Sequence, residues 1–206
     1  MAMADTITVA GLDGSLSNWG WARMRLDLGT LELEALSIGT IVTEPRKGKV
    51  VRQTSDDLRR CRDIVEGLKT VLEGCSIAFA EVPHGAQSAR AAFSNGVVTM
   101  GLAGIAVPVI EVAATETKLA SVGRRNAGKA EIISWAAGLY PGLPWDRYTR
   151  DVIRAAGEGT PPRKIRQAGE LHEGNEHMAD AAAVVHAGIR TPEFQGFLAV
   201  ARPRAA

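Results

Sequence analysis

Apolar residues along the chain change their period several times, and those changes mark its elements. Residues 7–13, ITVAGLD, form a short apolar run ending on a carboxylate, the pattern of a buried central strand. In NWGWARMRLDL the residues alternate, with Trp21, Arg23 and Arg25 on one side and Ala22, Met24 and Leu26 on the other. TLELEALSIGTIV alternates through Leu31, Leu33 and Ala35, and Gly29-Thr30 supplies a hairpin turn between the two. Three antiparallel strands are therefore expected first. Leu58, Cys61, Val65, Leu68 and Leu72 then follow helical spacing, behind a TSDD stretch (54–57) that resembles a capping box. SIAFAE (76–81) is a second short apolar run closing on an acid. A helix rich in Ala and Gly is expected over about 86–106, a buried strand in VPVIEVAA, and helices over 129–139 and about 175–187. Between 140 and 174, Pro141, Pro144, Pro161 and Pro162 predict an irregular, basic insert.

This order predicts an α/β fold: one mixed five-stranded sheet, three antiparallel strands and then parallel ones, flanked by helices. A right-handed crossover sets the first and fourth strands side by side. Ligands of such sheets collect at the carboxyl ends of the strands, where Asp13 and Glu81 both stand. The chain, 1–206, shows no internal repeat and reads as one domain carrying the insert at about 140–174.

Composition narrows the classes. With 24 Lys and Arg against 23 Asp and Glu, the net charge is +1, so any basic surface is local. Cys61 and Cys75 form no CxxC or Cys/His set and read as buried free thiols of a reducing compartment. The start, MAMADTITV, has neither a basic opening nor a long apolar segment and is not a signal peptide. Residues 91–110 carry no charge, but Ser94, Asn95, Thr99, three glycines and Pro108 interrupt them, so no membrane span is expected. A cytoplasmic protein is the expectation.

Asp13 followed by Gly is also a common turn, and Glu81 before Val82-Pro83 is also a solvated strand end. Together they mean more. Two carboxylates on adjacent strand ends repel unless a cation lies between them. In NEHMADAAAVVHAG, His177 and Asp180 stand at i and i+3, on one helical face, while Ala181, Ala182 and Val185 form the small side that packs on a sheet. Glu176 is expected to point elsewhere, as a first-turn charge favoured by the helix dipole. Carboxylate oxygens with one imidazole suit Mg²⁺ or Mn²⁺ better than structural Zn²⁺. Two such ions about 4 Å apart perform in-line phosphodiester hydrolysis.

GLDGSLSNWGWA, AFAEVPHGAQSARAAFSNGVV, VPVIEVAATETKLASVGRRNAGKAEI and HMADAAAVVHAG, in this order, resemble the RuvC-type Holliday junction resolvases of the RNase H-like superfamily. The resemblance covers most of the chain outside about 140–174. It implies a homodimeric, metal-dependent crossover junction endodeoxyribonuclease acting on four-way or other branched DNA in recombination and repair. It also implies that Asp13, Glu81, His177 and Asp180 bind Mg²⁺ or Mn²⁺, two ions per active site, and that Lys118 and Lys129 stand near the scissile phosphate. His occurs at the third metal position in some members. His84 stands where some members carry an aromatic wedge, and the longer insert fits a phage-type relative, leaving partnership with branch-migration motors open.

Residues 46–62 hold seven basic residues against Asp56 and Asp57, and Arg163, Lys164 and Arg166 cluster in the insert. A DNA track is expected over Arg46, Lys47, Lys49, His84, Arg90, Arg124 and Arg125, made of phosphate contacts that read shape. Trp19 and Trp21 are read as core rather than base-stacking residues, and His172 and His186 as structural. Val97, Val98 and Leu102 are candidates for a dimer interface or, equally, for core. Two other readings compete: an actin-like or sugar-kinase-type ATPase, which opens with the same strand, Asp and Gly, and a non-catalytic branched-DNA-binding protein. The chain is short for the first, and the four metal-linked side chains speak against the second.

Overall fold

In a computed structural model, residues 6–48, 52–154 and 163–201 are described. The strands are β1 (Thr6–Asp13), β2 (Asn18–Asp27), β3 (Leu33–Val42), β4 (Ile77–Glu81), β5 (Val109–Val112), β6 (Val152–Arg154) and β7 (Arg163–Arg166). The helices are α1 (Gln53–Leu72), α2 (Ala89–Ala103), α3 (Ala114–Ser121), α4 (Lys129–Leu139), α5 (Glu176–Gly188) and α6 (Pro192–Ala201). Five strands build one sheet in the order β3-β2-β1-β4-β5. β1, β2 and β3 pair antiparallel, whereas β1 with β4 and β4 with β5 pair parallel. This is the mixed sheet the sequence predicts, flanked by helices on both faces.

Strand alternation decides which face receives what. Val9 of β1, Met24 and Leu26 of β2 and Ile77 and Phe79 of β4 pack under α5 and α6. Ala10, Leu12, Trp19, Ala78 and Ala80 face α1 and α2, meeting Ile64, Leu68, Val98 and Leu102. α4 backs α5 from outside through Ile132, Ile133 and Ala136 against Ala179 and Ala183.

The helix α5 lies unusually near the sheet, and glycine allows it. A Cβ on Gly11 would stand 2.0 Å from the Ala181 carbonyl oxygen, and one on Gly20 would stand 2.0 Å from that of His177. No side chain fits there.

Several expectations are corrected. The buried face of α1 keeps Leu68 and Leu72 of the expected stripe but not Leu58 and Val65, which are 52% and 44% exposed. It runs through Arg60, Ile64, Leu68 and Val71. Arg60 can be buried because acceptors surround it: its Nε donates to Thr43 Oγ1, and its Nη2 to Ser17 Oγ and the Leu16 and Thr43 carbonyls. The capping box at 54–57 does not form. Arg52 is the N-cap without a side-chain bond, and Asp57 instead accepts from Gln53 and Arg90. Val98 and Leu102 belong to the core, so the outer face of α2 presents Phe93 and Met100 instead. The insert is not wholly irregular, since β6 and β7 form an antiparallel ribbon, although 155–162 lie outside the described residues. α3 and α6 were not expected; α6 completes the core with Phe194 and Leu198. Cys75 is buried, Cys61 half-buried, and both are free. Among the described residues, no helix is long and apolar enough to cross a membrane.

Candidate active site

β1 and β4 are in register with Asp13 opposite Glu81, so both acids close their strands at one level of the sheet. Counting in twos from Val9 and Ile77, both also face α5. The closeness that Gly11 and Gly20 permit brings the first turn of α5 over Asp13. His177 Nδ1 lies 2.7 Å from Asp13 Oδ2. That carboxylate holds the imidazole above its ordinary pKa, against the opposing effect of burial.

Asp180, one turn on, has no such partner among the described residues. Burial foremost, then the charges of Asp13, Glu176 and Glu81, push its carboxyl up to about 7. Glu81 is likewise raised, by burial and then by Asp13, while Lys118 and His84 pull it back. Asp13 thus acts on Glu81, His177 and Asp180 alike, and Glu81 and His177 act on Asp180 in opposite senses. Among the described residues, no three His, Cys, Asp or Glu side chains are arranged to close on one ion. The donor chemistry nonetheless fits a hard divalent cation: the set is oxygen-rich, and crowded carboxylates are the environment such a charge relieves.

The two lysines approach from different sides. Lys118 lies on α3, near enough to Glu81 to lower its pKa. Lys129 opens α4 and pairs with Glu176 Oε1 at 2.6 Å. That bond and charge, foremost, raise its ammonium pKa, with smaller contributions from Asp180 and Asp13. Glu176 therefore faces the site, against expectation. Its i, i+4 relation to Asp180 was the signal that sequence reasoning passed over. Asn175, fully buried before α5, was also missed. Its side chain accepts from Asp146 N and donates to Asp146 O, fixing where the helix begins.

Of the residues expected to track DNA, His84 sits exposed beside Glu81, and Arg46, Lys47 and Arg125 are exposed. Arg90 makes two bonds to Asp57, at 2.6 and 2.7 Å, and stacks over Phe93. Arg124 pairs with Glu131. Lys49 lies outside the described residues. Trp19 is core, and Trp21 is half-buried against Gly39. His172 Nδ1 accepts from Gly174 N and His186 Nε2 meets Tyr140 Oη at 2.7 Å, so both serve local structure.

No family model matches the chain. It is 30% identical over 161 residues to the crossover junction endodeoxyribonuclease RuvC of Nitratidesulfovibrio vulgaris, an alignment spanning 75% of this chain and 90% of that protein. Among solved structures, Thermus thermophilus RuvC in complex with a Holliday junction substrate superposes with a TM-score of 0.59 at 19% identity, covering 92% of this chain and 96% of that one. A further Thermus thermophilus RuvC structure gives 0.55 at 18% identity, covering 94% and 97%. The acids at the ends of β1 and β4, the helix laid across them and the sequence identity lead to one assignment: the chain belongs to the RuvC family of crossover junction endodeoxyribonucleases.

Proposed function

We propose that this chain, acting as one nuclease unit, resolves four-way and related branched DNA by hydrolysing phosphodiesters at the pocket between Asp13, Glu81 and α5. One observation carries the reading: Asp13 and Glu81 stand in register at the ends of adjacent strands, and the carboxyl of Asp180, 167 positions beyond Asp13 in the chain, is raised by burial and by the charges of both. As a RuvC-family nuclease it depends on a divalent metal. Asp13, Glu81, His177 and Asp180 would hold Mg²⁺ or Mn²⁺, two ions per site, supplying an activated water and charge stabilisation for the departing 3′-oxygen.

The chain's own residues do the rest. Asp13 fixes the His177 ring through its 2.7 Å bond. Glu176 holds Lys129 at the rim until a phosphate competes for the ammonium, and Lys118 adds a second positive charge near Glu81. Both lysines act on charge that grows on the phosphoryl oxygens in the transition state. His84, Arg46, Lys47 and Arg125 are read as phosphate contacts on the approach, with Arg90 and Arg124 joining them only by leaving their carboxylate partners. A homodimer matches the two equivalent strands of a junction, with Phe93 and Met100 on the outer face of α2 as its interface.

The test is incubation of a synthetic four-way junction with Mg²⁺ or Mn²⁺, using the parent protein and Asp13→Asn. The parent is expected to make paired nicks, and Asp13→Asn to lose them by on the order of 10²–10³-fold while binding the junction. Equal cleavage by both, or by neither, overturns the reading.

A further inference from the structure

The ribbon β6–β7 in the insert is not used by the site just described, yet its charge sets it apart. Across 150–154 and 163–166 stand Arg150, Arg154, Arg163, Lys164 and Arg166 against one acid, Asp151. The whole chain, by contrast, balances to +1. The ribbon forms a separate two-stranded sheet, and its cations are exposed.

Three of its cations are distinguished from ordinary surface charge by their surroundings. Lys164 is neutralised by Asp151 at 2.5 Å, and Arg166 leans on Glu173 at 3.5 Å. Arg150, Arg154 and Arg163 have no acidic partner among the described residues. Moreover, Arg154 and Arg163 are directly opposed across the ribbon. Directly opposed residues share a face, and like charges in that relation weaken the pairing. A two-stranded ribbon, marginal by itself, gains nothing from this arrangement in folding. A polyanion laid along that face removes the repulsion and replaces it with two phosphate contacts.

The ribbon is also tied to the active site. Below it, Arg147 bridges to Leu171, Tyr148 N donates to the Glu170 carbonyl at 2.9 Å, and His172 N donates to that of Asp146 at 2.8 Å. Asp146 is in turn bonded both ways to Asn175, the residue before α5. Asp146 and His172 in turn line a groove of about 740 Å³ together with Lys129, Glu176 and His177.

We propose that the β6–β7 ribbon is a second DNA contact, with Arg154 and Arg163 gripping the phosphates of a duplex arm of the substrate whose junction lies at the acids. This rests on the nuclease reading above and adds to it an arm-binding element of the insert. Such contacts set affinity and salt dependence without touching the reacting phosphate.

The experiment compares the parent protein, Arg154→Ala/Arg163→Ala and Arg154→Lys/Arg163→Lys on a four-way junction in Ca²⁺, where binding is read across salt. Single-turnover cleavage in Mg²⁺ at saturating protein is read alongside. The alanine pair is expected to lose roughly tenfold in affinity and to flatten the slope of log affinity against log salt by about 2. Its saturated cleavage rate is expected to stay within about twofold of the parent's, and the lysine pair to keep the parent slope. Unchanged affinity and slope in the alanine pair overturn the proposal, as they would if the ribbon met a protein rather than DNA. A large fall in the saturated rate at unchanged affinity also overturns it. A parent protein that binds and cuts no junction overturns the nuclease reading instead.

Discussion

Lys129 and Glu176 share a 2.6 Å ion pair at the rim, with the ammonium largely exposed. A residue so placed costs little to fold and acts on what arrives. Lys129→Ala is therefore expected to lower the single-turnover rate by roughly 10²-fold while junction affinity changes severalfold at most; the reverse split would place the lysine in binding. Asp180 presents the opposite case. Its pKa near 7 lies above the ordinary 3.8, so between those values the unfolded chain releases a proton that the folded one keeps. Stability falls as pH rises through that window, and the full cost is present above 7. Asp180→Asn is expected to abolish cleavage yet stabilise the ion-free protein at pH 8 by up to about 4 kcal/mol in a urea melt. No gain would mean that the carboxyl is not under strain. His186, against Tyr140 and Trp135, is pushed down to about 4, chiefly by burial. As pH falls from 6.5 to 4, the unfolded chain takes up a proton the fold refuses. Stability is complete above 6.5 and declines by about 3 kcal/mol through the window. His186→Gln is expected to remove that part of the acid slope; an unchanged slope contradicts the assignment.

Elements meet here at distances that side chains would forbid. Gly11 on β1 and Gly20 on β2 carry the first turns of α5, while Phe79 of β4 occupies the space that any side chain on Gly188 would need. Gly11→Ala is expected to cost about 3 kcal/mol or more and to end cleavage even where the chain folds, because α5 must shift from Asp13. Thermal melts together with the junction assay check this, and a variant of parental stability and rate would show the contact to be soft. Contacts between elements also decide which side of α1 is buried. Its hydrophobic stripe at Leu58 and Val65 was legible, but Arg60 wins the buried face because Thr43, Ser17 and Leu16 satisfy its guanidinium. Those acceptors come from the β1–β2 loop and the end of β3, which helical periodicity cannot see.

At the scale of the molecule, the two faces of one sheet divide the labour. α1 and α2 cover one face with an apolar core, and on the other α5, backed by α4 and α6, lies over the strand ends that carry Asp13 and Glu81. A junction offers two equivalent scissile strands, which two such sites in a proposed homodimer would match. Sedimentation is expected to give twice the 21.8 kDa mass of the chain, and Met100→Glu, on the exposed face of α2, to shift it towards one copy. A parent sedimenting at 21.8 kDa would leave paired nicking to successive binding.

Strand order, the parallel pairing of β1 with β4 and the acids at their ends were legible because each rests on local period and short crossovers. His177 and Asp180 were legible as neighbours for the same reason, being i and i+3 on a helix. What the sequence could not settle were matters of partner choice. These include which side of α1 is buried, that Glu176 turns to Lys129, that Arg90 is bound to Asp57, and that two strands rise from a proline-rich insert. Local spacing determines which residues share a face. Only tertiary packing determines what that face meets, because the acceptors, counter-charges and backbone clearances that decide it come from distant segments.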